Sequence, residues 1–178
     1  MKRNKILTIP NVITLLGMLC VLVSAYLVYD GRELEAFYFF LLVILSDYLD
    51  GWSARFIEKR NSGNGISRFG EVFDPVRDKS VILIVLAFDY EAAVLIVVVE
   101  TISTIYANLV RDAKKEHYVP YASKTITFLQ AIIISVMFFI PEDARTLIFG
   151  IAILSFGRFL TYFSEYRTIA KKQKIPLI

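Results

Sequence analysis

Apolar runs close to the roughly 20 residues a helix needs to cross a bilayer recur along this chain, and the short connections between them hold most of its charge. Of its 178 residues, 56% are hydrophobic, and the mean hydropathy is +0.57. That is more apolar surface than a soluble core of this size can bury. The expected fold is an all-α integral membrane protein, a single domain over residues 1–178 with six transmembrane helices. The spans are expected at about Asn11 to Tyr29, Leu34 to Arg55, Asp74 to Phe88, Ala92 to Val110, Ser123 to Ile140 and Arg145 to Tyr166. The first is read as a retained helix and not a signal peptide, because no small-residue cleavage site follows it and more apolar runs come after. Cys20 lies inside it without a second cysteine in the chain, so it is read as a packing residue.

Charge orients the spans. Lys2, Arg3 and Lys5, then Arg55, Lys59, Arg60 and Arg68, then Arg111, Lys114 and Lys115, then Arg167, Lys171, Lys172 and Lys174 fall at alternate connections and at both termini. The remaining connections, Asp30 to Glu33, Asp89 to Glu91 and Pro141 to Asp143, are mostly acidic. Lysine and arginine accumulate on the cytoplasmic side, so both termini are expected there, in a multi-pass protein of the cell membrane. The net charge of +3 reflects this basic face, which suits anionic headgroups and phosphorylated substrates. Nothing points to nucleic acid. The stretch Met1 to Ile9 mixes Ile6, Leu7 and Ile9 with basic residues. It reads as a juxtamembrane amphipathic segment along the membrane surface, or equally as a frayed tail. Asn61 to Gly65 has the composition of a turn.

At the basic end of the second span the chain reads Asp47-Tyr48-Leu49-Asp50-Gly51-Trp52-Ser53-Ala54-Arg55, and after the connection Gly70-Glu71-Val72-Phe73-Asp74-Pro75-Val76-Arg77-Asp78. Positions three or four apart share a helix face, so Asp47 pairs with Asp50 and Asp74 with Asp78. If the two helix ends are neighbours, four carboxylates converge near the membrane surface. They would repel one another there unless divalent cations intervened. An all-oxygen ligand set points to Mg²⁺ or Mn²⁺, and a pair of such ions can polarise a phosphoryl group. Gly51 permits close approach of a substrate, Ala54 keeps the next turn clear, and Arg55 offers a fork for phosphate oxygens. Any one aspartate alone is as well explained as an interfacial cap, Asp74 ahead of Pro75 for example. The set as a whole is not. His117 reads as a solvated loop residue, and Trp52 with the tyrosines near span ends as an interfacial belt.

The pattern resembles the CDP-alcohol phosphotransferase family, whose signature D-x2-D-G-x2-A-R, spacer, G-x3-D-x3-D is matched by Asp47, Asp50, Gly51, Ala54, Arg55, Gly70, Asp74 and Asp78. The resemblance implies six transmembrane helices, cytoplasmic termini and active site, a homodimer, and two metal ions held by the four aspartates. It further implies a CDP group beside Gly51 and Arg55, with Asn11, Ala54 and Gly70 also counted to that site, and Asp78 as general base. Within the family the chain is most similar to the phosphatidylglycerophosphate synthase branch. The softer matches are Pro10-Asn11-Val12-Ile13-Thr14, Phe73 to Lys79, and Ser123-Lys124-Thr125-Ile126-Thr127-Phe128-Leu129-Gln130. On that likeness the donor is CDP-diacylglycerol and the acceptor a phosphorylated small alcohol, glycerol 3-phosphate. Arg111 and Lys124 become candidates for gripping its phosphate, or equally positive-inside anchors.

Three departures stand out. The spacer Phe56 to Phe69 is longer than the family's usual one, Gly17 stands where the branch usually has arginine, and Val99-Glu100 stands where it usually has Arg-Glu. Glu100, inside the fourth span, has to face a cavity or a partner, and the acceptor pocket is one place for it. Other acceptors or donors within the family (inositol phosphate, serine, phosphatidylglycerol, an archaeal lipid donor) would share the metal site. A small cation transporter would instead spread its acids towards the bilayer midplane, whereas these cluster at one edge.

Overall fold

The computed structural model describes residues 9–60, 79–114 and 121–173. Among them are six α-helices and no strand: α1 Ile9–Tyr29, α2 Glu33–Arg60, α3 Ile82–Phe88, α4 Tyr90–Lys114, α5 Tyr121–Met137 and α6 Ala144–Gln173, with a 3-10 turn Pro141–Asp143 before the last. This is the expected all-α membrane architecture. By length and composition, Val12–Tyr29, Tyr90–Lys114 and Pro141–Lys171 can each cross a membrane, and Tyr121–Met137 is apolar but shorter. The amino-terminal amphipathic segment, the turn at residues 61–65, the first part of the expected third span, and His117 lie outside the described residues. Contacts divide the chain into two compact units, Met1–Phe88 and Asp89–Ile178.

In the first unit α1 and α2 form an antiparallel hairpin. Its turn follows from Gly31, whose φ of 73° is the left-handed conformation that glycine adopts without a Cβ penalty. Arg32 N–H donates to Leu27 C=O at 2.8 Å and Gly31 N–H to Val28 C=O at 3.0 Å, which caps the last carbonyls of α1 in a Schellman arrangement. The packed stripe of α1 is Thr14, Gly17, Val21, Ser24 and Val28, and that of α2 begins with Ala36, Phe40 and Val43, all buried. Small residues let the backbones approach, as bilayer helices require in the absence of a water-driven attraction. Ser24 Oγ donates to Ala36 C=O at 2.9 Å. Leu15, Leu16, Leu19 and Leu22 on α1, and Leu41, Leu42 and Leu45 on α2, are exposed, as lipid-facing residues should be. Gly17 therefore occupies a place in the helix contact where a small side chain fits.

In the second unit α4 and α6 run parallel and α5 runs antiparallel to α6, as the contacts show. Asp89 and Glu91 meet Arg145, Glu100 meets Arg158, and Lys114 meets Glu165, so both residue numbers rise together. Across α5 and α6, Thr127 meets Arg158 and Ser123 meets Tyr162, one number rising as the other falls. Val110, Tyr162 and Tyr166 form a buried cluster, and the Tyr106 ring sits edge-on against Phe159, Phe163 and Tyr166 at 5.4, 5.5 and 5.8 Å. Beyond Tyr166, where the sequence reading ended the span, α6 continues with Ile169 packed against this cluster and Ala170 buried, and the Lys114–Glu165 pair at 2.7 Å lies just before it. The basic residues Arg111, Lys114, Lys124, Arg167 and Lys171 gather at one end of this unit, and Asp89, Glu91, Glu142 and Asp143 at the other.

Asp89 separates α3 from α4 and caps the latter, accepting from Ala92 N–H at 3.0 Å. Arg145 Nε reaches its other oxygen at 2.6 Å and Nη2 reaches Glu91 at 3.1 Å. The Arg145 hydrogen bond, seconded by that of Ala92, holds the Asp89 carboxyl below the ordinary carboxylate range. A depressed carboxylate contributes stability that is fully present above its unfolded pKa and is lost as pH falls through its folded one. We expect Asp89→Ala to lower stability at neutral pH and to flatten the acid limb of the stability profile, measured by thermal unfolding in detergent from about pH 6 to pH 3.

Candidate active site

The helix α2 is unbroken from Glu33 to Arg60, so the first half of the aspartate motif lies on one continuous helical backbone. Phe56 to Arg60 holds no glycine or proline to stop it, which explains why it runs beyond the expected end at Arg55. Positions 47, 50, 51 and 54 span an arc of about 100° at the helical repeat. They also prolong the packed stripe, since 36, 40, 43, 47, 50 and 54 alternate in steps of four and three. The same face that packs against α1 near the hairpin turn therefore carries the motif near the far end. Ala36, Phe40 and Val43 on this stripe are buried and Asp47 is exposed, while burial continues on the adjoining face at Ser46 and Ser53. Tyr48 and Trp52, on the other side of α2, are exposed at 66% and 53%, consistent with an interfacial belt at the level of the motif.

Gly51 sits in the helix interior, where glycine costs roughly 0.5–1 kcal/mol relative to alanine. Its retention fits a substrate's need for close approach. Asn11 belongs to the first turn of α1. Stepping an equal number of residues along both helices from the Ser24–Ala36 bond brings Asn11 level with Leu49 and Asp50. The α1–α2 register thus unites Asn11 with the motif although 35 or more residues separate them in sequence. Asp50, Gly51, Ala54 and Arg55 are placed here by backbone position. Gly70, Asp74 and Asp78 lie outside the described residues. Arg111 near the end of α4 and Lys124 in the first turn of α5 are both exposed, at the basic end of the second unit.

The second unit also holds a charge network at the middle of its helices. Arg158 Nη1 contacts both oxygens of Glu100 at 3.1 Å, while its Nη2 donates to Thr127 Oγ1 at 3.0 Å and to Gln130 Oε1. Ser155 Oγ donates to Glu100 Oε1 at 2.8 Å, and Gln130 Nε2 donates to Ser155 Oγ at 2.8 Å. The side chains of Arg158 and Glu100 are 12% and 11% exposed. Glu100 therefore faces a partner, as its depth requires. Arg158 escaped the sequence reading, although an arginine midway along an apolar span is the signal that identifies it. The arrangement is not fully satisfied. Nε of Arg158 is buried with no hydrogen-bond partner among the described residues, an omission that costs on the order of 1–3 kcal/mol.

The described residues make a helical membrane protein with Asp47, Asp50, Gly51 and Ala54 on one stripe of α2. Residues 7–162 match the family described as CDP-alcohol phosphatidyltransferase, and the chain belongs to that family. It is accordingly an enzyme transferring a phosphatidyl group from a CDP-linked alcohol, in a family that generally depends on divalent metal. No curated protein and no solved structure matches the chain significantly.

Removing one member of a buried ion pair strands the other. Arg158→Leu is expected to destabilise the protein by about 3–5 kcal/mol, and Glu100→Leu/Arg158→Leu to recover most of that loss, as read from unfolding in mixed detergent micelles.

Proposed function

We propose that this enzyme transfers the phosphatidyl group of CDP-diacylglycerol to glycerol 3-phosphate, giving phosphatidylglycerophosphate and CMP. The observation that carries the reading is the placement of Asp47, Asp50, Gly51 and Ala54 on one stripe of α2, level with Asn11 of α1 and with Asp47 exposed. The particular donor and acceptor rest on the resemblance to the phosphatidylglycerophosphate synthase branch.

Asp47, Asp50, Asp74 and Asp78 are the residues that would hold two Mg²⁺ or Mn²⁺ ions. Their donor set, carboxylate oxygens alone, fits hard cations. Such ions supply positive charge for the donor's diphosphate and polarise the phosphorus under attack. The cytidine and diphosphate lie along Asn11, Gly51, Ala54, Arg55 and Gly70, where Gly51 and Ala54 leave the helix surface open and Arg55 offers paired N–H groups to phosphate oxygens. Arg111 and Lys124 neutralise the acceptor's phosphate. Asp78 accepts the proton of the acceptor hydroxyl. That oxygen bonds to the phosphorus bearing the diacylglycerol, the bond from this phosphorus to the bridging oxygen breaks, and CMP departs with its new charge met by Arg55.

The same reading treats both units as one catalytic domain, assembled as a homodimer in the cell membrane. The basic ends of the helices, and with them both termini and the active site, face the cytoplasm. The collection of Arg111, Lys114, Lys124, Arg167 and Lys171 at one end of the second unit supports this orientation.

Asp78→Asn should leave the folded protein intact and reduce CMP release to background, on the order of 10²-fold or more. Undiminished release from that variant rejects the general-base role. Purified enzyme given CDP-diacylglycerol and a panel of glycerol 3-phosphate, inositol phosphate, serine and phosphatidylglycerol should release CMP with the first alone. Chelation by EDTA should stop the reaction and Mg²⁺ or Mn²⁺ restore it, so turnover that persists in EDTA rejects the metal site.

A further inference from the structure

The Glu100–Arg158 network ties three helices at one level. Glu100 belongs to α4, Thr127 and Gln130 to α5, and Ser155 and Arg158 to α6. Arg158 spends its two terminal nitrogens differently. Nη1 serves Glu100 alone, whereas Nη2 serves Thr127 and Gln130. Gln130 Nε2 closes the circuit towards Glu100 Oε1 at 3.4 Å. A buried ionic network is weak evidence for stability, and its best-attested use is to specify register.

From this level Arg111 lies eleven residues along α4, about 16 Å, and Lys124 six residues back along α5, about 9 Å, towards the same end. The difference in height, about 7 Å, is one that two long, flexible side chains can bridge to meet at a single phosphate. A slip of α5 by one turn, about 5.4 Å, would change that difference by most of its own size. Nearer to Arg111 and Lys124, Tyr162 of α6 is buried with Val110 of α4 and its hydroxyl lies 3.4 Å from Ser123 Oγ of α5, a neutral and longer tie than those of the charged network.

We propose that Glu100, Gln130 and Arg158 are positioning residues that set the register of α5 against α4, and so hold Arg111 and Lys124 at the spacing needed to grip one acceptor phosphate. The proposal rests on the reading of Arg111 and Lys124 as acceptor contacts, and it deepens that reading by naming what fixes their spacing. Arg158→Lys is the discriminating variant. It retains a charge for Glu100, which keeps the protein folded, but lacks the second nitrogen that holds Thr127 and Gln130.

The test has two arms. In a Cys20→Ser background, spin labels at Arg111→Cys and Lys124→Cys report the α4–α5 spacing directly, with or without Arg158→Lys and with or without the neutral pair Glu100→Gln/Arg158→Gln. The expected result is a narrow distance distribution that broadens or shifts in both altered backgrounds. With native Arg111 and Lys124, the same network variants should raise KM for glycerol 3-phosphate on the order of tenfold, leaving KM for CDP-diacylglycerol unchanged. An unaltered distance distribution in folded variants overturns the proposal, as does a KM change shared equally by donor and acceptor. A changed distance with no acceptor-phosphate dependence in the unaltered enzyme would instead overturn the assignment of the acceptor, so the two readings fail separately.

Discussion

Lipid offers a charged side chain neither water nor a counterion, and most of the second unit's organisation follows from how Glu100 and Arg158 answer that constraint. A carboxylate or guanidinium midway along a spanning helix is tolerable only when paired and hydrogen-bonded. Here the pairing draws in Ser155, Gln130 and Thr127, so three helices are held at one level. Above and below, weaker contacts continue the same alignment. Arg145 clamps the acidic end to Asp89 and Glu91, and Lys114 meets Glu165 near the basic end. The exposed contact of Arg145 with Glu91 contributes little on its own, since solvent screens it. The central one cannot be broken without isolating a charge.

The first unit solves a different problem. Its helices meet through Gly17, Ser24 and Ala36, where close backbone approach replaces the hydrophobic effect as the source of cohesion. That contact uses one stripe of α2 in a four-three rhythm, and the aspartate motif is the continuation of that stripe. Ala36, Phe40 and Val43 are buried on this stripe, and Asp47 beyond them is exposed. A glycine at position 51 is unfavourable for the helix, and on the proposed function it leaves the backbone open to a substrate.

Much of this was legible before any coordinates. The apolar runs announced helices because nothing else of that length satisfies its own backbone in lipid, and α1, α4 and α6 lie where the runs do. The spacing of Asp47, Asp50, Gly51 and Ala54 declared a shared face because the helical repeat leaves no alternative. Less legible were the ends. The helix α2 runs on to Arg60 and α6 to Gln173, since their last turns are polar and no hydropathy signal marks where they stop. The α6 extension packs Ile169 against a cluster to which Val110 of α4 belongs, a meeting of residues distant in the chain. Glu100 was recognised as needing a partner, but its sequence neighbours could not say which.

What the sequence determined by itself is the class of fold and the shared helix face of the α2 motif, because both depend on local periodicity: helix length against bilayer thickness, and residue spacing against the helical repeat. What only the tertiary structure decided is which groups from different helices meet. The antiparallel register brings Asn11 level with Asp50, and the parallel run of α4 and α6 delivers Arg158 to Glu100. Such meetings are set by the interlocking of helix surfaces distant in the chain, and no local pattern encodes them.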